Sequence, residues 1–172
     1  MLAGGPGVIF EITDGDTYGY RGNLFYDLVK TSVIRLAFAM ATELRRRGIA
    51  VLAVTPGFLR SEAMLDHFGV SEENWRDGAN KDPEFIASET PCFVGRAVAA
   101  LAADGNVATK SGRVFSSWDL AEEYGFDDVD GRRPHWGRHF EEKYGLPLKT
   151  CDDGFYEYWE DGIMEVLYPD WP

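Results

Sequence analysis

The sequence predicts an α/β fold in which three parallel strands are flanked by helices. The run IAVLAVT at 49–55 is continuously apolar, which is typical of a strand buried on both faces of a parallel sheet. A strand candidate and a long amphipathic helix precede it, so strand, helix and strand follow one another as in a right-handed βαβ unit. The 172 residues are enough to form one domain with a hydrophobic core.

Local signals place the first elements of this fold. Residues 7–13, GVIFEIT, are rich in β-branched and aromatic side chains and predict a strand. The Gly- and Asp-rich stretch DGDTYGYRGN then predicts a loop. From Leu24 to Arg47 apolar residues recur at helical spacing, and Gly48 is a typical helix stop.

The second half of the chain predicts shorter elements. Residues 60–89 favour short helices and loops, with Ser71 as a helix cap. Thr90 and Pro91 are typical of the cap and first position of a helix that continues through FVGRAVAALAAD. We expect a third strand in SGRVFSSWD and a further helix from Pro134 to Gly145.

The charge distribution limits the classes of partner. The net charge is −12, and more than half of the 29 acidic residues lie after residue 118. Such a chain repels nucleic-acid phosphates, so we expect no nucleic-acid partner. We also expect no membrane partner and a cytoplasmic location, because the sequence has no apolar run of membrane length and does not begin like a signal peptide. Cys92 and Cys151 lie far apart in the sequence, in no metal-binding or redox spacing, so we expect both to be reduced thiols.

Tyr26 and Lys30 are the first candidates for chemistry. They lie four residues apart, so they share one helix face. A nearby ammonium favours the phenolate and lowers the pKa of a tyrosine, which can then exchange a proton with a carbonyl or alcohol oxygen. The spacing alone is weak evidence, because most such pairs lie on helix surfaces.

Four segments at natural spacing strengthen this interpretation. They are VIFEITDGD, FYDLVK, VTPGFLRSE and SGRVFSSWDLAEEYGFDDVDGRRP. Together they resemble the C-terminal half of the short-chain dehydrogenase/reductase family. The resemblance implies half of a Rossmann-type doubly wound parallel sheet over residues 1–134. Residues 135–172 would form an acidic, aromatic extension.

The resemblance also implies roles for individual residues. Tyr26 would give or take a proton, and Lys30 would bind the nicotinamide ribose and lower the pKa of Tyr26. Pro56, Gly57 and Leu59, with the Ser61 hydroxyl, would hold the nicotinamide carboxamide. The implied function is an NAD- or NADP-dependent oxidoreductase acting on a small carbonyl/alcohol pair.

The family's catalytic serine has no direct counterpart. Thr13 and Asp14 stand at the corresponding positions. Thr13 is the expected substitute, because its hydroxyl can donate a hydrogen bond to a substrate oxygen. Asp14 is the alternative, although an ionised carboxylate only accepts hydrogen bonds. Asp14 and Asp16 are also typical turn residues.

The family's glycine-rich nucleotide-binding loop and the half of the fold around it have no counterpart here. We therefore expect full activity only in a longer form of the chain. An uncovered edge at strand 7–13 favours association, either as a homo-oligomer or with another covering segment. The alternative function is a non-catalytic protein-interaction module of the same fold.

The remaining candidates follow from position alone. The resemblance implies that residues 60–89, which follow the Pro56–Gly57 pair, form a substrate lid. Its candidate pocket walls are Phe58, Met64, Phe68 and Trp75. Glu62 or Asp66 is the expected ion-pair partner of Arg60. His135 and His139 share a helix face but lack a defined third ligand, so we predict no metal site.

Overall fold

The computed structural model describes residues 5–16 and 20–145. Three strands and five α-helices form the described part of the chain. Their bounds are β1 Gly7–Ile12, α1 Leu24–Leu44, β2 Ile49–Thr55, α2 Glu62–Phe68, α3 Pro91–Ala103, β3 Val114–Ser116, α4 Ser117–Tyr124 and α5 Trp136–Tyr144. Four 3₁₀ helices lie at Arg45–Arg47, Trp75–Asn80, Pro83–Ala87 and Val107–Lys110.

The strands form one parallel sheet in the order β1-β2-β3, flanked by helices. This arrangement confirms the predicted fold class. Every residue of β2 is buried, as its continuous apolar sequence predicts. Val51, Leu52 and Val54 have no exposed surface, and burial of each such side chain contributes roughly 1.5–3 kcal/mol.

Helix α1 has the predicted start and stop. The Asn23 side chain accepts a hydrogen bond from the Tyr26 N–H at 3.1 Å and so caps the helix. The predicted span to Arg47 is helical throughout, but its last three residues are 3₁₀ rather than α. Gly48 ends it with φ of 68°, a left-handed conformation that suits glycine.

The chain divides into two compact units, which are described separately. Within the described residues, the first holds 5–16, 20–53 and 105–114, and the second holds 54–104 and 115–145. The core of the first unit packs α1 against the sheet. Its buried members are Ala37, Ala41, Ile49, Val51 and Ala53.

An aromatic core stabilises the second unit. Phe85 has no exposed surface, and its ring centroid lies 4.4 Å from that of Phe68 and 6.1 Å from that of Trp75. Gly78 is required here, since a Cβ at this position would lie 2.6 Å from the Phe85 ring. Both 3₁₀ helices of the predicted lid therefore belong to a packed core.

Three predicted boundaries need correction, each because a cap lies elsewhere. Strand β3 ends at Ser116, since this hydroxyl accepts from the Asp119 N–H at 3.2 Å and starts α4. Ser71 caps no helix; its own N–H donates to Asn74 Oδ1 at 2.7 Å. Helix α5 begins at Trp136 rather than Pro134, with the His135 ring nitrogen accepting from the Arg138 N–H.

Part of the surface of the first unit is strongly apolar. Strand β1 lies at one edge of the sheet, and its last residue, Ile12, is 50% exposed. Five apolar side chains of α1 are exposed to a similar or greater degree: Leu24, Phe25, Leu28, Val29 and Leu36. We call these five the apolar face of α1.

Two sequence predictions lie partly or wholly outside the described residues. The extension 135–172 is described only as far as Gly145, and Cys151 lies beyond it. Cys92, in α3, is a free and exposed thiol.

Over the ranges 5–16 and 20–145, none of the helices combines the length and hydropathy needed to cross a membrane.

Candidate functional site

Tyr26 and Lys30 lie on one face of α1, as their spacing predicts. Tyr26 is in the first turn, with 44% of its surface exposed. The Lys30 ammonium nitrogen lies 5.5 Å from the centroid of the Tyr26 ring. The pair is therefore accessible to a ligand, with a cation over the phenol ring.

The hydroxyl of Tyr26 donates a hydrogen bond to Asp14 Oδ2. Burial, this bond and the negative charge of Asp14 raise the pKa of Tyr26 to about 12, while the Arg21 guanidinium acts in the opposite direction. This direction is opposite to the lowered pKa expected from Lys30. The reason is that a carboxylate, and not the ammonium, contacts the phenol oxygen.

Thr13 occupies a different position from the one expected of a serine substitute. It is only 2% exposed, and its hydroxyl donates to the main-chain oxygen of Lys30 at 2.8 Å. The hydroxyl proton of Thr13 is therefore already used in a hydrogen bond to α1. Asp14, the alternative at the serine position, is the residue that contacts Tyr26.

Arg21 holds the loop after β1 against the first turn of α1. Its Nε donates to the Asp14 main-chain oxygen at 2.6 Å, and its Nη1 lies 2.9 Å from Asp27 Oδ1. No motif in the sequence marks Arg21. Its Gly- and Asp-rich surroundings indicate a loop but do not show which carboxylate it binds.

The segment after β2 contains the residues that the resemblance assigns to the carboxamide. Pro56 is buried, and Gly57 follows it. Leu59 forms a parallel bridge with Glu89. The Ser61 hydroxyl caps α2 by accepting from the Met64 N–H at 3.4 Å, so its proton remains available for donation.

Glu89 is a buried carboxyl that the sequence analysis missed. It is 1% exposed, and its Oε2 accepts from the Gly57 N–H at 2.9 Å and from the Ser117 hydroxyl at 2.6 Å. Burial raises the pKa of Glu89 to about 7; these two hydrogen bonds oppose the shift, and the charge of Asp128 adds to it. A glutamate beside a helix cap is typical of an exposed loop, so no sequence signal indicated this burial.

The four predicted pocket walls join the aromatic core around Phe85. Phe68 and Trp75 are buried there, and Phe58 and Met64 are partly buried against them. Apolar and aromatic residues at helical spacing fit a core as well as a pocket, and position alone did not distinguish the two. Phe68 and Trp75 are core residues of the second unit, and their role as pocket walls stays a prediction.

Arg60 also belongs to the interior of the second unit. It is 1% exposed and pairs with Glu72 at 3.0 Å and Asp130 at 3.1 Å, not with Glu62 or Asp66. Its guanidinium carbon lies 4.2 Å from the centroid of the Trp75 ring. Both partners come from loops distant in sequence, which local spacing could not reveal.

The two histidines at the start of α5 have separate partners. His135 caps the helix, and His139 Nε2 lies 2.6 Å from Glu84 Oε2. Lys143 and Tyr144 also bind Glu84, so α5 is fixed to the 3₁₀ helix Pro83–Ala87. In the part of the chain that the structure describes, no group of three or more His, Cys, Asp or Glu side chains could hold a metal ion.

Comparison with known proteins identifies the family. No protein-family model matches the chain. The chain is 37% identical over 134 residues to human dehydrogenase/reductase SDR family member 1, and 36% identical over 134 residues to the mouse protein. The chain belongs to the short-chain dehydrogenase/reductase family. The matches cover 77% of this chain and 42% of each relative, so the chain spans less than half the length of these curated relatives.

One solved structure with a similar fold is that of a bacterial protein. It is a candidate NAD(P)-dependent gluconate 5-dehydrogenase from Beutenbergia cavernae with bound NADP. The chain is 26% identical to it with a TM-score of 0.50, over 68% of this chain and 46% of that one. The described fold is therefore part of the fold of this family.

Proposed function

We propose that the protein is an NAD- or NADP-dependent oxidoreductase acting on a carbonyl/alcohol pair, with Tyr26 as its proton donor and acceptor. The observation that carries this proposal is the arrangement of Tyr26 and Lys30 on α1, in a chain of the short-chain dehydrogenase/reductase family. The phenol is accessible, and a cation lies over its ring. A deeply buried tyrosine could not meet a substrate oxygen.

The residues after β2 fit a nicotinamide carboxamide. Glu89 bonds to the Phe58 oxygen and the Arg60 N–H, and groups of successive residues in an extended chain point to opposite sides. The N–H and C=O of Leu59 therefore point away from Glu89. With the Ser61 hydroxyl they supply donors and an acceptor, which is what an amide requires.

The proposed chemistry divides between cofactor and protein. The nicotinamide, when bound, supplies or accepts the hydride. Tyr26 gives its proton to the substrate oxygen during reduction and takes it back during oxidation. Lys30 binds the ribose hydroxyls. The bond from Tyr26 to Asp14 must open before the phenol proton can reach a substrate.

Replacement of Tyr26 tests this function. In the longest soluble form of the protein, we expect Tyr26→Phe to reduce turnover with NADH or NADPH by at least about a hundredfold, the usual contribution of a positioned acid. Tyr124→Phe is the matched control, since the Tyr124 hydroxyl also donates to an aspartate, Asp104 Oδ2, at 2.6 Å. Turnover retained in Tyr26→Phe would contradict the assigned role. A form that binds neither cofactor would favour the interaction module instead.

We also propose that the apolar face of α1 pairs with a second copy of the chain. Its support is the exposure of this face, which ranges from 47% at Leu36 to 76% at Phe25. The resemblance favours a copy of the same chain, because members of the family pair through the helix that carries the tyrosine. Sedimentation velocity should give a dimer that Phe25→Glu dissociates, whereas a well-behaved monomer would contradict this pairing.

A further inference from the structure

Glu89 connects three segments of the second unit. Its main-chain N–H donates to the Phe58 oxygen at 2.9 Å, and its C=O accepts from the Arg60 N–H at 2.7 Å. Its side-chain Oε2 accepts from the Gly57 N–H and from Ser117, the first residue of α4. One residue thus bonds to the chain on both sides of Leu59.

The contact between Glu89 and Gly57 leaves no room for a side chain at position 57. A Cβ on Gly57 would lie 2.8 Å from Trp136 Cβ and 3.2 Å from Glu89 Oε2. The glycine therefore allows its amide to approach the carboxyl closely. Gly57, which the resemblance assigns to the carboxamide site together with Pro56, has the Glu89 carboxyl as its hydrogen-bond partner in this unit.

Burial of this carboxyl is costly in free energy. A buried polar side chain destabilises the fold unless its hydrogen bonds are made, and a charged one does so more strongly. Within the described residues, Glu89 Oε1 has no hydrogen-bond partner. Asp128 is a further source of negative charge nearby. An apolar side chain would fill the same space at lower cost, so the two bonds made by Oε2 are the property that distinguishes a glutamate here.

We propose that Glu89 is a positioning residue, whose carboxyl holds the Gly57 amide so that the Leu59 main chain is presented to the nicotinamide carboxamide. The choice of ligand rests on the proposed function; the positioning itself rests on the hydrogen bonds. Glu89 would touch neither the substrate nor the cofactor. Its effect passes through residues 57–59.

Amide hydrogen exchange, measured by NMR, tests the positioning without any catalytic assay. In Glu89→Met we expect the Gly57 amide to exchange at least about tenfold faster, because it loses its acceptor. The Arg60 amide is the internal control, since its acceptor is the main-chain oxygen of residue 89. Glu89→Gln, which keeps an acceptor oxygen, should restore protection at Gly57.

Either of two exchange results would overturn the positioning role. One is equal loss of protection at Gly57 and Arg60, which would indicate general unfolding of the unit. The other is unchanged protection at Gly57. Should Glu89→Met fail to fold, Glu89→Asp serves the same purpose, because its shorter side chain withdraws the carboxyl from Gly57.

Kinetics on the longest soluble form test the consequence for the cofactor. We expect Glu89→Met to raise the KM for NADH or NADPH about tenfold, as loss of one positioning contact would, with a smaller change in kcat. Glu89→Gln should recover most of the wild-type KM. An unchanged KM in Glu89→Met, with active wild type, would overturn the positioning role alone. A wild-type protein that neither binds nor turns over a nicotinamide cofactor would overturn the proposed function and the cofactor role together.

Discussion

The hydroxyl of Thr13 donates a hydrogen bond to the main-chain oxygen of Lys30, with 2.8 Å between the two oxygens. This bond joins the residue that follows β1 to the second turn of α1. Thr13 is almost completely buried, so water cannot replace it as donor. The bond therefore helps to fix Lys30, the residue proposed to bind the cofactor ribose.

Replacement of Thr13 by valine should lower the stability of the first unit. Valine has nearly the same shape, but it removes a buried hydrogen bond and places a methyl group beside a carbonyl oxygen. We expect the free energy of unfolding to fall by about 1–2 kcal/mol, as measured by urea denaturation. Thr13→Ser keeps the hydroxyl and should lose less. Equal stability of the valine variant and the wild type would contradict this role for the bond.

The bond between Tyr26 and Asp14 predicts the alkaline titration of the phenol. The pKa of Tyr26 is raised to about 12, whereas a free tyrosine titrates near 10. The absorbance change of this phenolate, isolated by subtraction of Tyr26→Phe, should therefore be centred near pH 12. Asp14→Asn removes the carboxylate charge and should move it toward lower pH. An unchanged titration in Asp14→Asn would show that Asp14 does not control Tyr26.

The raised pKa of Tyr26 also determines how the free energy of unfolding changes with pH. Because the pKa of Tyr26 is higher in the folded state than in the unfolded one, its neutral form stabilises the fold fully below pH 10. That contribution is lost as the pH rises from 10 through 12. The stability difference between wild type and Tyr26→Phe should shrink over this range. A constant difference would contradict the raised pKa.

Local patterns predicted the elements well, because their signals lie within a few residues. The apolar run of β2, the Gly48 stop and the cap at Thr90 and Pro91 each depend on immediate neighbours. The end of β3 was misjudged, because Ser116 and Ser117 suit both a strand and a helix start.

The candidate site was harder to predict, because side-chain partners come from distant segments. Spacing placed both Thr13 and Asp14 at the serine position but could not show which one faces Tyr26. The buried carboxyl of Glu89 accepts hydrogen bonds from Gly57 and Ser117, which lie 32 and 28 residues away in the sequence. Phe68 and Trp75 fit a pocket or a core equally well until Phe85 is placed beside them.

The buried Arg60 should be much less tolerant of substitution than its neighbour Arg76. Both guanidinium groups lie over the Trp75 ring, at 4.2 Å and 4.6 Å from its centroid. Only Arg60 is buried, with Glu72 and Asp130 as partners. Lysine cannot reproduce its planar set of donors. Arg60→Lys should lower the free energy of unfolding by about 3 kcal/mol and Arg76→Lys by less than about 0.5 kcal/mol. Similar losses in urea denaturation would contradict this difference.

Two glycine-to-alanine substitutions should have opposite effects on stability. At Gly57 the added methyl would lie 2.8 Å from Trp136 Cβ, so the chain must shift, at a cost of about 1–3 kcal/mol. At Gly95, inside α3, a Cβ meets no atom within 4 Å. There alanine should raise the free energy of unfolding by about 0.5–1 kcal/mol, because it favours the helix. Urea denaturation of both variants tests this, and a Gly57→Ala variant as stable as the wild type would show that the close approach to Trp136 is not maintained in solution.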